Sequence, residues 1–238
     1  MRHDHEFSLG VRLVVAATGA ILLLVPVALI GIFVVGDADW LHRLDLNVTD
    51  ALHTFALAHS GWVDVAAVCA VVFDPNVFRV GALLLVVWLV RRQARALALW
   101  VALTMTAGGL LAALLKLLVG RNRPDLLDPV ARAAGYSFPS GHALNSALGA
   151  AVFLLVLLPF TRDRPVLRGA LWTAAIVVPV LTGISRVLLG VHWTSDVVAG
   201  WLLGVAVVGV TAAVFLVWRG PRRGRVVREG LEPEVTEA

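Results

Sequence analysis

Apolar residues run through the 238-residue chain in long blocks, and polar residues gather in short stretches between them. Six blocks, at about 12–35, 70–90, 96–119, 142–160, 167–187 and 194–218, are long enough to cross a bilayer as helices. The pattern predicts an all-α, polytopic membrane protein. The second block is interrupted by Asp74-Pro75-Asn76, which predicts either a kink or a short interfacial helix ahead of the true span. The preceding stretch, "LHRLDLNVTDALHTFALAH", spaces its apolar residues at helical intervals and predicts a short amphipathic helix on the membrane surface. The first block exceeds a signal-peptide core and has no small-residue cleavage site after it, so it reads as a retained helix.

Composition agrees with this pattern. The chain is 59% hydrophobic and only 15% charged, with a mean hydropathy of +0.87. A net charge of +4 and a pI near 10.5 would fit a nucleic-acid binder. The arginines, however, lie in clusters between apolar blocks rather than on one face interleaved with aromatics, which excludes that class. Arg2 and Arg12, then Arg91, Arg92 and Arg95, then Arg162, Arg164 and Arg168, then Arg219, Arg222, Arg223, Arg225 and Arg228 occupy alternate inter-block positions. The positive-inside bias therefore predicts both termini in the cytoplasm of a cell-membrane protein. Residues 1–11 form the cytoplasmic N-terminus, 12–218 a single membrane-embedded domain, and 219–238 a basic-to-acidic tail expected to be disordered. The single cysteine, Cys69, cannot form an internal disulfide. Gly200 and Gly204 make a GxxxG that predicts close helix packing.

One loop breaks the charge rule. Residues 120–141 should lie outside, yet they contain Arg121, Arg123 and Arg132, and they follow Lys116, the only lysine in the chain. The same membrane face should carry Ser140, Gly141 and His142, then Ser185 and Arg186, then His192 and Asp196. Several cations and two histidines with few carboxylates suit a polyanion with tetrahedral oxygens, such as phosphate. Pro139-Ser140-Gly141-His142 opens the fourth block, so its backbone N–H groups and helix dipole can face an anion. His192 and Asp196 are four apart and share a face if the last helix has begun by then. Arg121 has no assigned part, and a headgroup contact serves it equally well.

Three stretches then fall into a known order: K-x6-R-P from Lys116 to Pro124, P-S-G-H at 139–142, and S-R-x5-H-x3-D from Ser185 to Asp196. Together they resemble the signature of the type 2 phosphatidic acid phosphatase family of membrane phosphatases, a superfamily that includes vanadium haloperoxidases. The resemblance spans about residues 50 to 215. It implies that His192 is a nucleophile forming a phosphohistidine, oriented by Asp196, and that His142 is general acid and then base. Lys116, Arg123, Ser140, Gly141 and Arg186 would bind the phosphoryl oxygens. No metal or other cofactor is implied, and the site region has too few carboxylates for a two-metal centre. The implied partner is a lipid phosphate or diphosphate in the bilayer at the extracytoplasmic face. Undecaprenyl diphosphate is favoured, with phosphatidylglycerophosphate and phosphatidic acid as alternatives. A phosphotransferase using the same site, or a non-catalytic lipid transporter on the same scaffold, stays open. The sequence does not speak to oligomeric state.

Overall fold

The structure is a computed structural model that describes residues 9–127 and 129–219. The expectations for the extreme N-terminus and for the tail lie almost wholly outside these residues. Among the described residues, eight α-helices follow one another: α1 (Leu9–Val35), α2 (Asp39–Ala58), α3 (Ser60–Val72), α4 (Pro75–Arg91), α5 (Arg95–Val119), α6 (Gly141–Leu157), α7 (Pro165–Leu188) and α8 (Thr194–Arg219). A short 3-10 turn, Leu158–Thr161, extends α6.

Among the described residues, five stretches are long and apolar enough to cross a membrane: Ser60–Arg91, Arg95–Val119, Gly141–Thr161, Pro165–Leu188 and Thr194–Trp218. The first expected span, 12–35, corresponds to α1, whose 27 residues reach about 40 Å at 1.5 Å per residue. The chain bends by 93° between α1 and α2. This places α2 across the end of the bundle, where its amphipathic pattern suits an interface.

The second span differs from its expected boundaries of 70–90, because helix starts at Ser60 and continues through α4 as one 32-residue apolar stretch. The break at Asp74-Pro75 is mild for a local reason. Asp74 caps α4, its Oδ1 accepting the Asn76 N–H at 2.8 Å, and Pro75 takes the first helical position. Proline's missing N–H and fixed φ are tolerated there. The chain therefore restarts its helix rather than turning away.

Helix α6 is the axis. Leu144, Leu148, Val152 and Val156, each fourth residue, are buried against α4, α5 and α8 in the main apolar core. A helix apolar nearly all round belongs in the middle of a bundle. The expected GxxxG explains how closely α8 approaches it. A Cβ on Gly200 would come within 2.8 Å of the Ser140 carbonyl oxygen, and one on Gly204 within 2.7 Å of that of Leu144. Farther along, Thr104 of α5 donates to Thr211 of α8 at 2.9 Å, a polar tie inside the apolar layer.

Candidate active site

The third to sixth apolar blocks end or begin at one end of this bundle, and each boundary has a local cause. Helix α5 stops at Gly120, whose φ of +62° is the left-handed conformation of a glycine C-cap. Lys116 thereby sits in the last turn, and its Nζ donates to the Tyr136 carbonyl at 2.6 Å. The loop returns through a cis Phe138–Pro139 bond to Ser140, the N-cap of α6, so that Gly141 and His142 occupy its first turn. Helix α7 ends with Arg186 in its last turn. A turn through Gly190 (φ +65°) then carries His192 to the start of α8 at Thr194. The three motif stretches, far apart in sequence, therefore meet at one end.

His192 lies before α8, not on it, so the expected shared helix face is not how the pair forms. The imidazole is turned inward instead, and its Nδ1 lies 3.4 Å from Asp196 Oδ2. That same oxygen accepts the Trp193 N–H at 3.0 Å, so Asp196 fastens the turn and the ring together. On the other side, Nε2 lies 3.1 Å from Arg123 Nη1. A guanidinium only donates and a carboxylate only accepts. The proton is therefore on Nδ1, and the lone pair is on Nε2. His192 and Asp196 are buried, and burial is the main force pushing the His192 pKa down to about 4. Arg123 and Lys116 push the same way, while Asp196 opposes them. The ring is neutral at ordinary pH, with the Nε2 lone pair turned toward Arg123.

Arg123 is held by the loop it belongs to. Nε donates to Gly135 O at 2.9 Å, Nη2 to Ala134 O at 3.0 Å, and Nη1 to Val191 O at 2.6 Å. Arg186 and Ser140 are buried, and neither Arg186 Nε nor Ser140 Oγ has a hydrogen-bond partner. Ser140 Oγ does not cap its own helix. Buried polar atoms without partners are costly, and beside the first turn of α6 they suit the oxygens of an anion. His142 lies across this space, its Nε2 at 3.3 Å from Ala70 O and 3.6 Å from Asp74 Oδ2. Ser185 faces elsewhere, its hydroxyl returned to Thr182 O at 2.7 Å. All eight expected site residues thus belong to this end.

Sequence reasoning missed three participants. Arg121 is not a headgroup contact. Nη1 donates to Asp196 Oδ1 and Nη2 to Asp45 Oδ2, both at 2.8 Å, and its guanidinium lies 5.3 Å from the Trp193 ring centre. Asp45, on α2 and fully buried, also accepts the Ser195 N–H at 2.9 Å and the Ser195 hydroxyl. The third is Asp74, beside His142. Two charges buried at Asp45 and Asp196 are tolerable because one arginine satisfies both.

Comparison with known proteins identifies the family. The profile of the PAP2 superfamily matches residues 97–219, slightly more than half of the chain, and covers every motif residue. The chain belongs to the PAP2 superfamily. Over 99 residues it is 41% identical to phosphatidylglycerophosphatase B of Bacillus subtilis, 40% of this chain and 47% of that protein. Over 83 residues it is 41% identical to an undecaprenyl-diphosphatase of Sulfolobus acidocaldarius, 35% of this chain and 34% of that one. A lipid A 1-phosphatase of Rhizobium johnstonii is 36% identical over 121 residues, 47% of this chain and 45% of that one. The matches thus span less than half the length of each of these relatives. The crystal structure of a transmembrane PAP2-type phosphatidylglycerolphosphate phosphatase from Bacillus subtilis shares the fold. It has a TM-score of 0.58 and 24% identity, with 92% of this chain and 98% of that one aligned.

Proposed function

We propose that the chain is an integral membrane phosphatase that hydrolyses a phosphate or diphosphate carried by a membrane lipid. The observation that carries this reading is the fixed tautomer of His192: a buried neutral ring, Nδ1–H held by Asp196, and the Nε2 lone pair facing the cations. Nε2 attacks phosphorus, and the bond from phosphorus to the leaving oxygen breaks as His142 supplies that oxygen's proton. His142, now neutral, takes a proton from water, which cleaves the phosphohistidine and releases phosphate. Lys116, Arg123, Ser140, Gly141 and Arg186 bind the non-bridging oxygens, where charge accumulates in phosphoryl transfer. Arg123 first covers the nucleophilic nitrogen and turns to the phosphoryl group when substrate arrives.

The scheme needs no metal. The charge on the phosphoryl oxygens is met by Lys116, Arg123 and Arg186 instead. The arginine pattern supports cytoplasmic termini and a site on the extracytoplasmic face of the cell membrane. The relatives' names point to lipid-borne phosphates, and undecaprenyl diphosphate heads the candidates, followed by phosphatidylglycerophosphate.

The test is phosphate release by detergent-purified protein from undecaprenyl diphosphate, phosphatidylglycerophosphate, phosphatidic acid and lipid A, with and without EDTA. Release from at least one, unchanged by EDTA, is expected. Activity lost with EDTA and restored by Mg²⁺ would overturn the metal-free scheme. Transfer of the labelled phosphoryl group to a second lipid would make the chain a phosphotransferase.

A further inference from the structure

The break at Asp74-Pro75 interrupts an otherwise continuous apolar span, and capping alone does not account for an acid there. Asn and Ser cap a helix about as well as Asp and bring no charge into the bundle. The position of the carboxylate supplies the reason. Oδ1 is fixed by the Asn76 N–H at 2.8 Å, which directs Oδ2 to 3.6 Å from His142 Nε2. The Ala70 carbonyl, one turn earlier on α3, is 3.3 Å from the same nitrogen.

We propose that Asp74 is a positioning residue for His142, so that the site contains a second carboxylate–histidine pair on the side of the leaving group. The proposal rests on the phosphatase reading above. Ala70 O and Asp74 Oδ2 can only accept, so Nε2 of His142 carries a hydrogen in either charge state. The nitrogen left for substrate is Nδ1. As the imidazolium, His142 gives its Nδ1 proton to the leaving oxygen, which keeps the electron pair of the broken P–O bond. What remains is the neutral ring with its hydrogen on Nε2, still held by Ala70 and Asp74, and a lone pair on Nδ1. That lone pair then takes a proton from the attacking water. Asp74 neither gains nor loses a proton at any point.

The charged groups that face His142 are Asp74 at the α3–α4 junction, Arg186 on α7 and Arg123 on the α5–α6 loop. Both arginines are assigned to the phosphoryl oxygens, and both disfavour a cationic ring. Asp74 is the counter-charge that lets a proton donor exist between them. Its side chain is 37% exposed, against 0% for Asp196, so it acts as a partly exposed counter-charge and not through a fully buried ion pair.

Asp74→Asn tests this, because it keeps the cap and removes the charge. Steady-state rates are measured for wild type and variant across lipid-tailed phosphate esters whose leaving groups range from alkyl alcohols to nitrophenols. Alkyl alcohols leave only when protonated, and nitrophenolate leaves unaided. The expected result is a kcat/KM, which reports the steps up to phosphoryl transfer, reduced about 10-fold for the alkyl esters and within about 2-fold for the nitrophenyl esters. Equal losses for all leaving groups, or no loss, would overturn the role of Asp74 while leaving the phosphatase intact. A wild-type protein that releases phosphate from none of them would remove the phosphatase reading, and this proposal with it.

Discussion

The two histidines of the site are supported in opposite ways. His192 is 3% exposed, and its partner Asp196 is fully buried and tied through Arg121 to a second buried carboxylate on α2. His142 is 19% exposed, and its partner Asp74 lies at a half-open helix junction. The contrast matches the two tasks proposed for them. A nucleophile must be neutral, of one tautomer and unable to rotate, and burial with a braced carboxylate provides all three. A proton donor and acceptor must change charge twice in a cycle, and the facing carboxylate of Asp74 favours the cationic half of it.

Removing the brace should break the contrast most severely. Arg121→Ala leaves Asp45 and Asp196 as buried anions without their shared counter-charge, which costs about 3–5 kcal/mol. A large fall in thermal midpoint in detergent, together with loss of phosphate release, is the expected outcome. Asp74→Asn, by contrast, should leave the midpoint where it is. A stable, active Arg121→Ala protein would mean that the buried network does not hold the nucleophile.

A smaller effect sharpens the same point through pH. The His192 pKa is held near 4, below the ordinary histidine value of 6.5, chiefly by burial. Its neutral form is favoured by folding. Stability from this group is complete above the unfolded value of 6.5 and is lost as pH falls toward 4, because there the unfolded chain binds the extra proton. The acid limb of kcat/KM should likewise fall near pH 4 and not near 6.5. An acid limb near 6.5 would show that the free enzyme's ring is solvated.

How much of this was visible beforehand depended on distance along the chain. The apolar blocks mark the spans because length and hydropathy are local properties, and the GxxxG marks a close-packing face on α8 because a missing Cβ is local too, whereas its partner α6 is set by the fold. The motif stretches were legible as a set, since each keeps its residues within a few positions. Asp45 was not, because it is one of four aspartates between 37 and 50, and only folding selects the one that meets Arg121, 76 positions away. Asp74 was noticed as a break and not as a partner, for the same reason. The segment from Ser60 escapes the sequence reading because Asp74-Pro75 allows either a kink or a separate interfacial helix, and only the capped restart at α4 joins the two helices into one span.

The central claim is that phosphorus is transferred to His192, and trapping the intermediate tests it most directly. Purified protein is mixed with lipid phosphate labelled in the scissile phosphoryl group and quenched in alkali within milliseconds to seconds, and the labelled residue is located by peptide mapping. The account predicts label on His192 that appears and decays with phosphate release, and neither label nor release from His192→Ala. Label on another residue, or a His192→Ala protein that still releases phosphate at the wild-type rate, would contradict it.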